Sequence, residues 1–356
     1  MVLLISFLWS LWSCVSLRVS QPDYDKADQV FQKLKKAHPG EYCSIVQSEG
    51  TYNAEEKYDL AELVFQDPNI DSLEVLKCFV ETMHLTLNDA FGEDDGTLLF
   101  PAVEYKQPES VKYLIAQNVP VEAVSDDGWS AAMRAIGRCS TCLEEILDKT
   151  THVSEVRFQQ TCYGEKRLFE RCRDNFALVH FAAQLDDLDA MDILSQHNVD
   201  FNAIDSAGWN PVHVAVRYNK MGALEKLGTL NASFNIEDKS GRTPAHLACQ
   251  YVVGANLQRC FDIILQFHGR LGARDHSNNT PAHFCASAKN EIKMVRPKGL
   301  QFLYDHASES FDQRDALDRT PAEVAQKEGN NAQLFFTYLD AKEKTKAVEL
   351  AAKAVE

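Results

Sequence analysis

Residues 240–248 read SGRTPAHLA. The run leaves two roles open for His246: chemistry, or construction. A Thr at 243 can cap a helix N-terminus through its side-chain oxygen. Pro244 presets φ and has no amide hydrogen to leave unpaired in a first turn. The small apolar residues that follow make a helix thin enough to stack closely on a copy of itself. The stretch therefore reads as the start of a short helix.

Other copies decide between the two roles. GWNPVHVA (208–215), NNTPAHFC (278–285) and DRTPAEVA (318–325) repeat the pattern. NFALVHFA (175–182), GWSAAMRA (128–135) and GTLLFPA (96–102) repeat it more weakly. The Thr slot falls at Thr97, Ser130, Ala177, Asn210, Thr243, Thr280 and Thr320, at intervals of 33, 47, 33, 33, 37 and 40 residues. A fixed period of 33 with insertions of 14, 4 and 7 is the mark of a solenoid. A second helix follows each first one, with apolar residues at helical spacing: Val111, Leu114 and Ile115; Leu143, Ile146 and Leu147; Phe261, Ile264 and Leu265. Neither helix can bury its apolar face alone, so each unit depends on its neighbours.

The Thr-Pro-x-His run and the period resemble the ankyrin repeat, over about residues 96–340. The resemblance implies an all-α solenoid of about seven stacked helix-turn-helix repeats with β-turn tips. It also implies that His180, His213, His246 and His283, like Thr243 and Pro244, build the repeat, the histidines tying one repeat to the next. A catalytic reading of the histidines needs a recurring nucleophile or metal partner, and none recurs.

Outside the array the pattern changes. EEKYDLAELVF (55–65) and SLEVLKCFVETM (72–83) have helical spacing, so residues 18–95 read as a helical N-terminal cap or a degenerate repeat. Residues 341–356 read as a final helix or tail. Residues 2–17, VLLISFLWSLWSCVSL, carry no charge and are short for a membrane span but suit a secretory leader, with cleavage expected before Leu17. A short signal anchor is the first alternative, and a buried helix of the fold the second. No second run of spanning length follows, so no membrane span is expected once the leader is removed, and KAVE at the C-terminus is not a KDEL-type retention signal.

Ten cysteines occur, nine of them after Cys14, an odd number that leaves at least one thiol free or shared. Cys139, Cys142, Cys162 and Cys172 gather around the 14-residue insertion as candidate disulfides. Plain burial, a four-thiolate zinc site or a redox CSTC remain open for the same four. Cys43 and Cys78 can pair across the N-terminal cap. Cys249 and Cys285 sit where a first helix usually has Ala, and packing is the favoured reading there.

At 356 residues and 45% apolar content the chain can build a substantial core, and its charge of −16 argues against a nucleic-acid partner. No phosphate loop, dinucleotide turn, zinc-protease or hydrolase motif is present, so neither an enzyme nor a cofactor is expected. NAS (231–233) is a glycosylation sequon, meaningful only along a secretory route. A solenoid's concave face is its default binding surface. The residue before the Thr slot is read as facing that surface, which puts Trp129, Phe176, Trp209 and Arg242 in contact with a partner. So is the end of the first helix, which adds Tyr218 and Tyr251. Trp, Tyr and Arg dominate interface hot spots. The expected function is a monomeric, non-catalytic scaffold for a protein partner, entering the secretory pathway as a possible secreted effector. A membrane-anchored intracellular adaptor is the alternative, with a cysteine-based zinc or redox protein behind it.

Overall fold

A computed structural model describes residues 24–82, 97–125, 128–158, 175–287, 296–328, 335–337 and 339–340. The expected leader, Cys162, Cys172 and the tail from 341 onward lie outside the described residues. The chain divides into two compact units, residues 1–120 and 121–356.

In the first unit, α1 (Tyr24–Leu34), α2 (Tyr42–Ser48), α3 (Ala54–Gln66) and α4 (Ser72–Lys77) are followed by α5 (Leu99–Glu104) and α6 (Pro108–Ala116). Asn53 starts α3 with a reciprocal cap: its Oδ1 accepts from Glu56 N at 2.8 Å, and Glu56 accepts from Asn53 N at 2.9 Å. Val30, Leu34, Leu60, Val64 and Phe79 are buried where α1, α3 and α4 meet. The first sequence repeat, α5 and α6, packs with these helices: Gln107 Nε2 donates to Phe65 O at 3.0 Å, and the Ser72 and Ser110 hydroxyls lie 3.0 Å apart. The Sγ atoms of Cys43 and Cys78 stand at 2.04 Å.

The second unit is a row of helix pairs. They are α7 (Ala131–Ala135) with α8 (Ser140–Leu147), and α9 (Leu178–Leu185) with α10 (Leu188–Gln196). Next come α11 (Pro211–Arg217) with α12 (Met221–Thr229), and α13 (Pro244–Tyr251) with α14 (Asn256–Gln266). The row ends in α15 (Pro281–Ser287) with α16 (Arg296–His306), then α17 (Pro321–Glu328). The architecture is the all-α ankyrin solenoid that the period implies. Among the described residues the only strands are β1 (Arg157–Phe158) and β2 (Phe176–Ala177), an antiparallel pair that closes the base of the long insertion.

Sequence accounts for the stacking. The first helices carry Ala182, Ala183, Ala215, Ala248 and Ala286, all fully buried, so neighbouring backbones approach closely. The second helices contribute the bulk: Leu194, Leu224, Phe261, Ile264 and Leu303 are buried between layers. First helices pack on one another more extensively than second helices do, from α9 through α17.

Small residues also hold the second layer together. Gly228 of α12 lies so close to the Phe267 ring that an added Cβ would fall 2.2 Å from it. In the turns, Gly208 and Gly241 adopt φ of +83° and +76°, which L-residues with a side chain disfavour. Asn278 and Asp318 take the same left-handed position in their own turns, and short polar side chains tolerate it.

Candidate functional site

The four histidines build a ladder. In each, Nδ1 faces a backbone N–H at the start of its own helix: Ala177 N to His180 at 3.1 Å, Asn210 N to His213 at 3.3 Å, Thr243 N to His246 at 3.1 Å and Thr280 N to His283 at 3.1 Å. A backbone N–H can only donate, so in His180, His246 and His283 Nδ1 accepts and the proton resides on Nε2, while His213 Nδ1 also lies 2.7 Å from Asn210 Oδ1. That Nε2 donates to the turn of the following repeat: Trp209 O at 2.9 Å, Arg242 O at 3.1 Å, Asn279 O at 3.0 Å and Arg319 O at 2.9 Å. A protonated ring would turn an N–H against the capping N–H. Burial pushes the His213 pKa down to about 4, and lowers those of His246 and His283 as well. The His213, His246 and His283 rings are therefore held toward the neutral form.

Glu323 occupies the histidine slot of the last repeat and accepts from Thr320 N at 2.8 Å, so a carboxylate fills the Nδ1 role there. At the other end of the unit Met133 occupies that slot, and Ser130 Oγ alone caps α7 by accepting from Met133 N at 3.2 Å.

A second conserved-looking position, absent from the sequence reading above, organises the turns. Asp205, Asp238, Asp275 and Asp315 lie five residues before the Thr slot and are buried. In each, Oδ1 accepts two backbone N–H groups, such as Ser240 N at 2.8 Å and Arg242 N at 2.9 Å for Asp238. Burial by itself raises the Asp238 and Asp315 pKa values. The side-chain and backbone bonds from Arg242 and Arg319 outweigh it, and both carboxyls are held below their usual range. Adjacent turns are joined by backbone bonds as well: Lys239 N to Ala207 O at 3.0 Å, His276 N to Ser240 O at 3.0 Å and Ala316 N to Ser277 O at 2.8 Å.

These aspartates correct the reading of the residues before the Thr slot. Trp209 is 2% exposed and its Nε1 donates to Asp238 Oδ2 at 3.1 Å. Arg242 pairs with the same carboxylate, Nη2 to Oδ2 at 2.7 Å. Phe176 is buried, its ring 4.9 Å from that of Phe181 and 4.7 Å from the His180 imidazole. Trp129, half-buried, packs against Phe158 at 5.0 Å and Phe181 at 5.2 Å. The turn of the next repeat lies close enough to swallow these side chains. A contact ridge of Trp129, Phe176 and Trp209 is therefore replaced by a set of packed, turn-stiffening side chains.

The ends of the first helices remain at the surface. Leu185 is 48% exposed and Tyr218 is 36% exposed, with Tyr251 half-buried, one from each of three successive repeats. Arg217 places its guanidinium carbon 3.8 Å from the centroid of the Tyr251 ring and 6.0 Å from that of Tyr218. A cavity of about 570 Å³ lies elsewhere, between Val121, Met133, His152, Val156 and Arg157.

The Sγ atoms of Cys139 and Cys142 stand at bonding distance, and the other two candidates, Cys162 and Cys172, lie outside the described residues. Cys249 and Cys285, read as packing positions, have Sγ atoms 2.08 Å apart and link α13 to α15. Cys260 is buried in α14, and burial pushes its thiol pKa up. Among the described residues no group of three or more His, Cys, Asp or Glu converges on a metal-sized site. Among the same residues, no helix is long and apolar enough to cross a membrane.

Residues 179–270 match the family model described as ankyrin repeats (3 copies). No curated protein matches the chain. Among solved structures it is similar to the ankyrin repeat domain of Bcl-3, described as a unique member of the IkappaB protein family. The TM-score is 0.51 at 19% identity, over 68% of this chain and 96% of that one. The likeness is one of fold.

Proposed function

We propose that this chain is a non-catalytic scaffold that binds a protein partner across the ends of its first helices and reaches it through the secretory pathway. The ridge of Leu185, Tyr218 and Tyr251 carries the first half of this reading. It repeats with the period of the array, keeps Leu185 and Tyr218 exposed and Tyr251 half-buried while Phe176 and Trp209 are buried, and carries two tyrosines, a residue type enriched at interface hot spots. Ankyrin repeats generally serve protein–protein contact, which supports the same reading. A photoreactive residue in place of Tyr218 is expected to cross-link the partner, whereas one in place of Arg259, on the second-helix layer, is not. Cross-linking at 259 alone would move the site to the other side.

The cysteines support the secretory half. Three pairs stand at bonding distance, and disulfides persist in oxidising compartments. Together with the uncharged run at residues 2–17 they favour a secreted effector over an adaptor anchored in the cytosol. Purified mature chain is expected to begin at Leu17. Its Cys43, Cys78, Cys139, Cys142, Cys249 and Cys285 are expected to react with an alkylating reagent only after reduction, and Cys260 only after unfolding. Labelling of the six without reductant would remove the secretory half and leave the scaffold intact.

A further inference from the structure

From α7 through α14 the two helix layers of the second unit carry opposite charge. Between residues 131 and 251 the first helices α7, α9, α11 and α13 contain Arg134 and Arg217 and no carboxylate. The second helices α8, α10, α12 and α14 contain Glu144, Glu145, Asp189, Asp192, Glu225 and Asp262 against Lys226 and Arg259. Over these four repeats the acidic groups thus stay off the first-helix layer, where arginine remains, whereas α17 farther along carries Glu323 and Glu328.

Arg217 is the centre of that layer. Its guanidinium carbon lies 3.8 Å from the centroid of the Tyr251 ring, a contact that uses up none of its N–H donors, which can still meet an acceptor. Among the described residues no carboxylate pairs with it. Asp186, beside Leu185 in the chain, is turned away: its Oδ1 accepts from Ala223 N at 2.6 Å, in the first turn of α12. Tyr218 and Leu185 extend an exposed apolar strip past the arginine.

We infer that this strip receives an acidic segment of the partner, with one of its Asp or Glu carboxylates on Arg217 and a neighbouring aliphatic or aromatic side chain on Tyr218 and Leu185. The inference rests on the binding face assigned above and names the chemistry of what binds there. A guanidinium already stacked on a ring is held in place, so little side-chain freedom is lost when a carboxylate arrives. The acidic second-helix layer repels the same segment and so helps to set the side on which it docks.

The test pans a random peptide library displayed on phage against the full chain. The recovered pool is expected to be rich in Asp and Glu next to Leu, Phe or Tyr, and to lose affinity as salt is raised. Arg217→Gln is expected to weaken its binding at least about tenfold, in the range of a lost hot-spot ion pair. Arg217→Lys should recover part of that loss, and Arg259→Gln should change nothing. An unchanged melting curve for Arg217→Gln confirms that the array is intact. A neutral or basic pool, no recovered peptide at all, or full affinity in Arg217→Gln overturns the inference. If such peptides still cross-link through position 218, the binding face survives and only its acidic ligand is lost. Cross-linking through 259 instead overturns both.

Discussion

Two junctions in the second unit solve the same problem differently. From Ala177 onward, neighbouring repeats are held by a polar ladder, with a histidine from one side and an aspartate-braced turn from the other. Between the Ser130 repeat and the Ala177 repeat the ladder has no histidine, because Met133 stands in that slot. In the Ser130 repeat's own turn, Ser125 stands where the other turns have Asp, and its Oγ accepts from Trp129 N at 3.2 Å. Here the neighbours are clasped by Trp129, Phe158, Phe176 and Phe181, together with the β1–β2 pair. Hydrogen bonds fix a distance and an orientation, so the ladder survives slot intervals of 37 and 40 without changing its geometry. Aromatic packing is less directional, and it suits the one described junction that carries a 14-residue insertion. The ladder is vulnerable to loss of a single partner, the clasp to loss of volume.

The largest effect is expected where the ladder is cut. His246→Ala leaves Thr243 N–H buried without an acceptor and opens a cavity, a loss of about 3 kcal/mol on the usual scale for such groups. Urea unfolding measures it directly. A loss below about 1 kcal/mol would mean that water or a shifted turn replaces the ring, and the ladder would not be what holds the junction.

A smaller effect follows from protons. The folded pKa of His213 is about 4, below its ordinary value, so at intermediate pH the unfolded chain binds a proton that the folded chain refuses. The stabilisation is complete above about pH 6.5 and is lost as pH falls toward the folded pKa, at about 1.4 kcal/mol per pH unit. Lowering the pH from 7.5 to 5 is expected to cost about 2 kcal/mol through His213 alone. His246 and His283 act in the same direction. The Met133 junction has no such group in its slot. Amide-exchange protection, corrected for intrinsic rates, should therefore fall further in residues 178–286 than in residues 131–147. Equal loss in both segments would break the contrast.

Much of this was legible in the chain. The period places the first helices at Asn210, Thr243, Thr280 and Thr320, where a capping residue followed by Pro and small apolar residues has few alternatives, and its spacing carries the weaker copies. The resemblance, and the lack of any recurring catalytic partner, gave His180, His213, His246 and His283 a structural reading, and each lies in a bond to the next turn. The aspartates had no such reading, although Asp205, Asp238, Asp275 and Asp315 keep the 33, 37 and 40 intervals of the Thr slot. The signal was there, five residues upstream of the motif, in a turn where Asp is commonplace. The burial of Trp209 could not be read, since it depends on how near the next turn comes and on Asp238, 29 residues away, reaching its Nε1. Cys249 and Cys285 show the same limit. Each fits the small-residue rule for its own helix, and only the close approach of α13 and α15 brings their sulfurs together.

The mildest prediction probes the clasp itself. Trp129 is half-buried and touches two rings, so Trp129→Ala removes part of a large side chain's burial and two aromatic contacts. Pairs of this kind contribute about 0.5–1.5 kcal/mol each beyond area, and loss of one exposed flank softens the rest, which points to about 1.5 kcal/mol in all. Differential exchange should confine the loss to residues near α7, α9 and β1, with α13 and α15 unaffected, because no ladder bond passes through the indole. Coupling to Phe158→Ala in a double-mutant cycle would show that the rings act as one cluster. Simple additivity would reduce the clasp to independent contacts, leaving the strand pair to hold the insertion. An effect spreading to α15 would mean that the two junctions are one cooperative element after all.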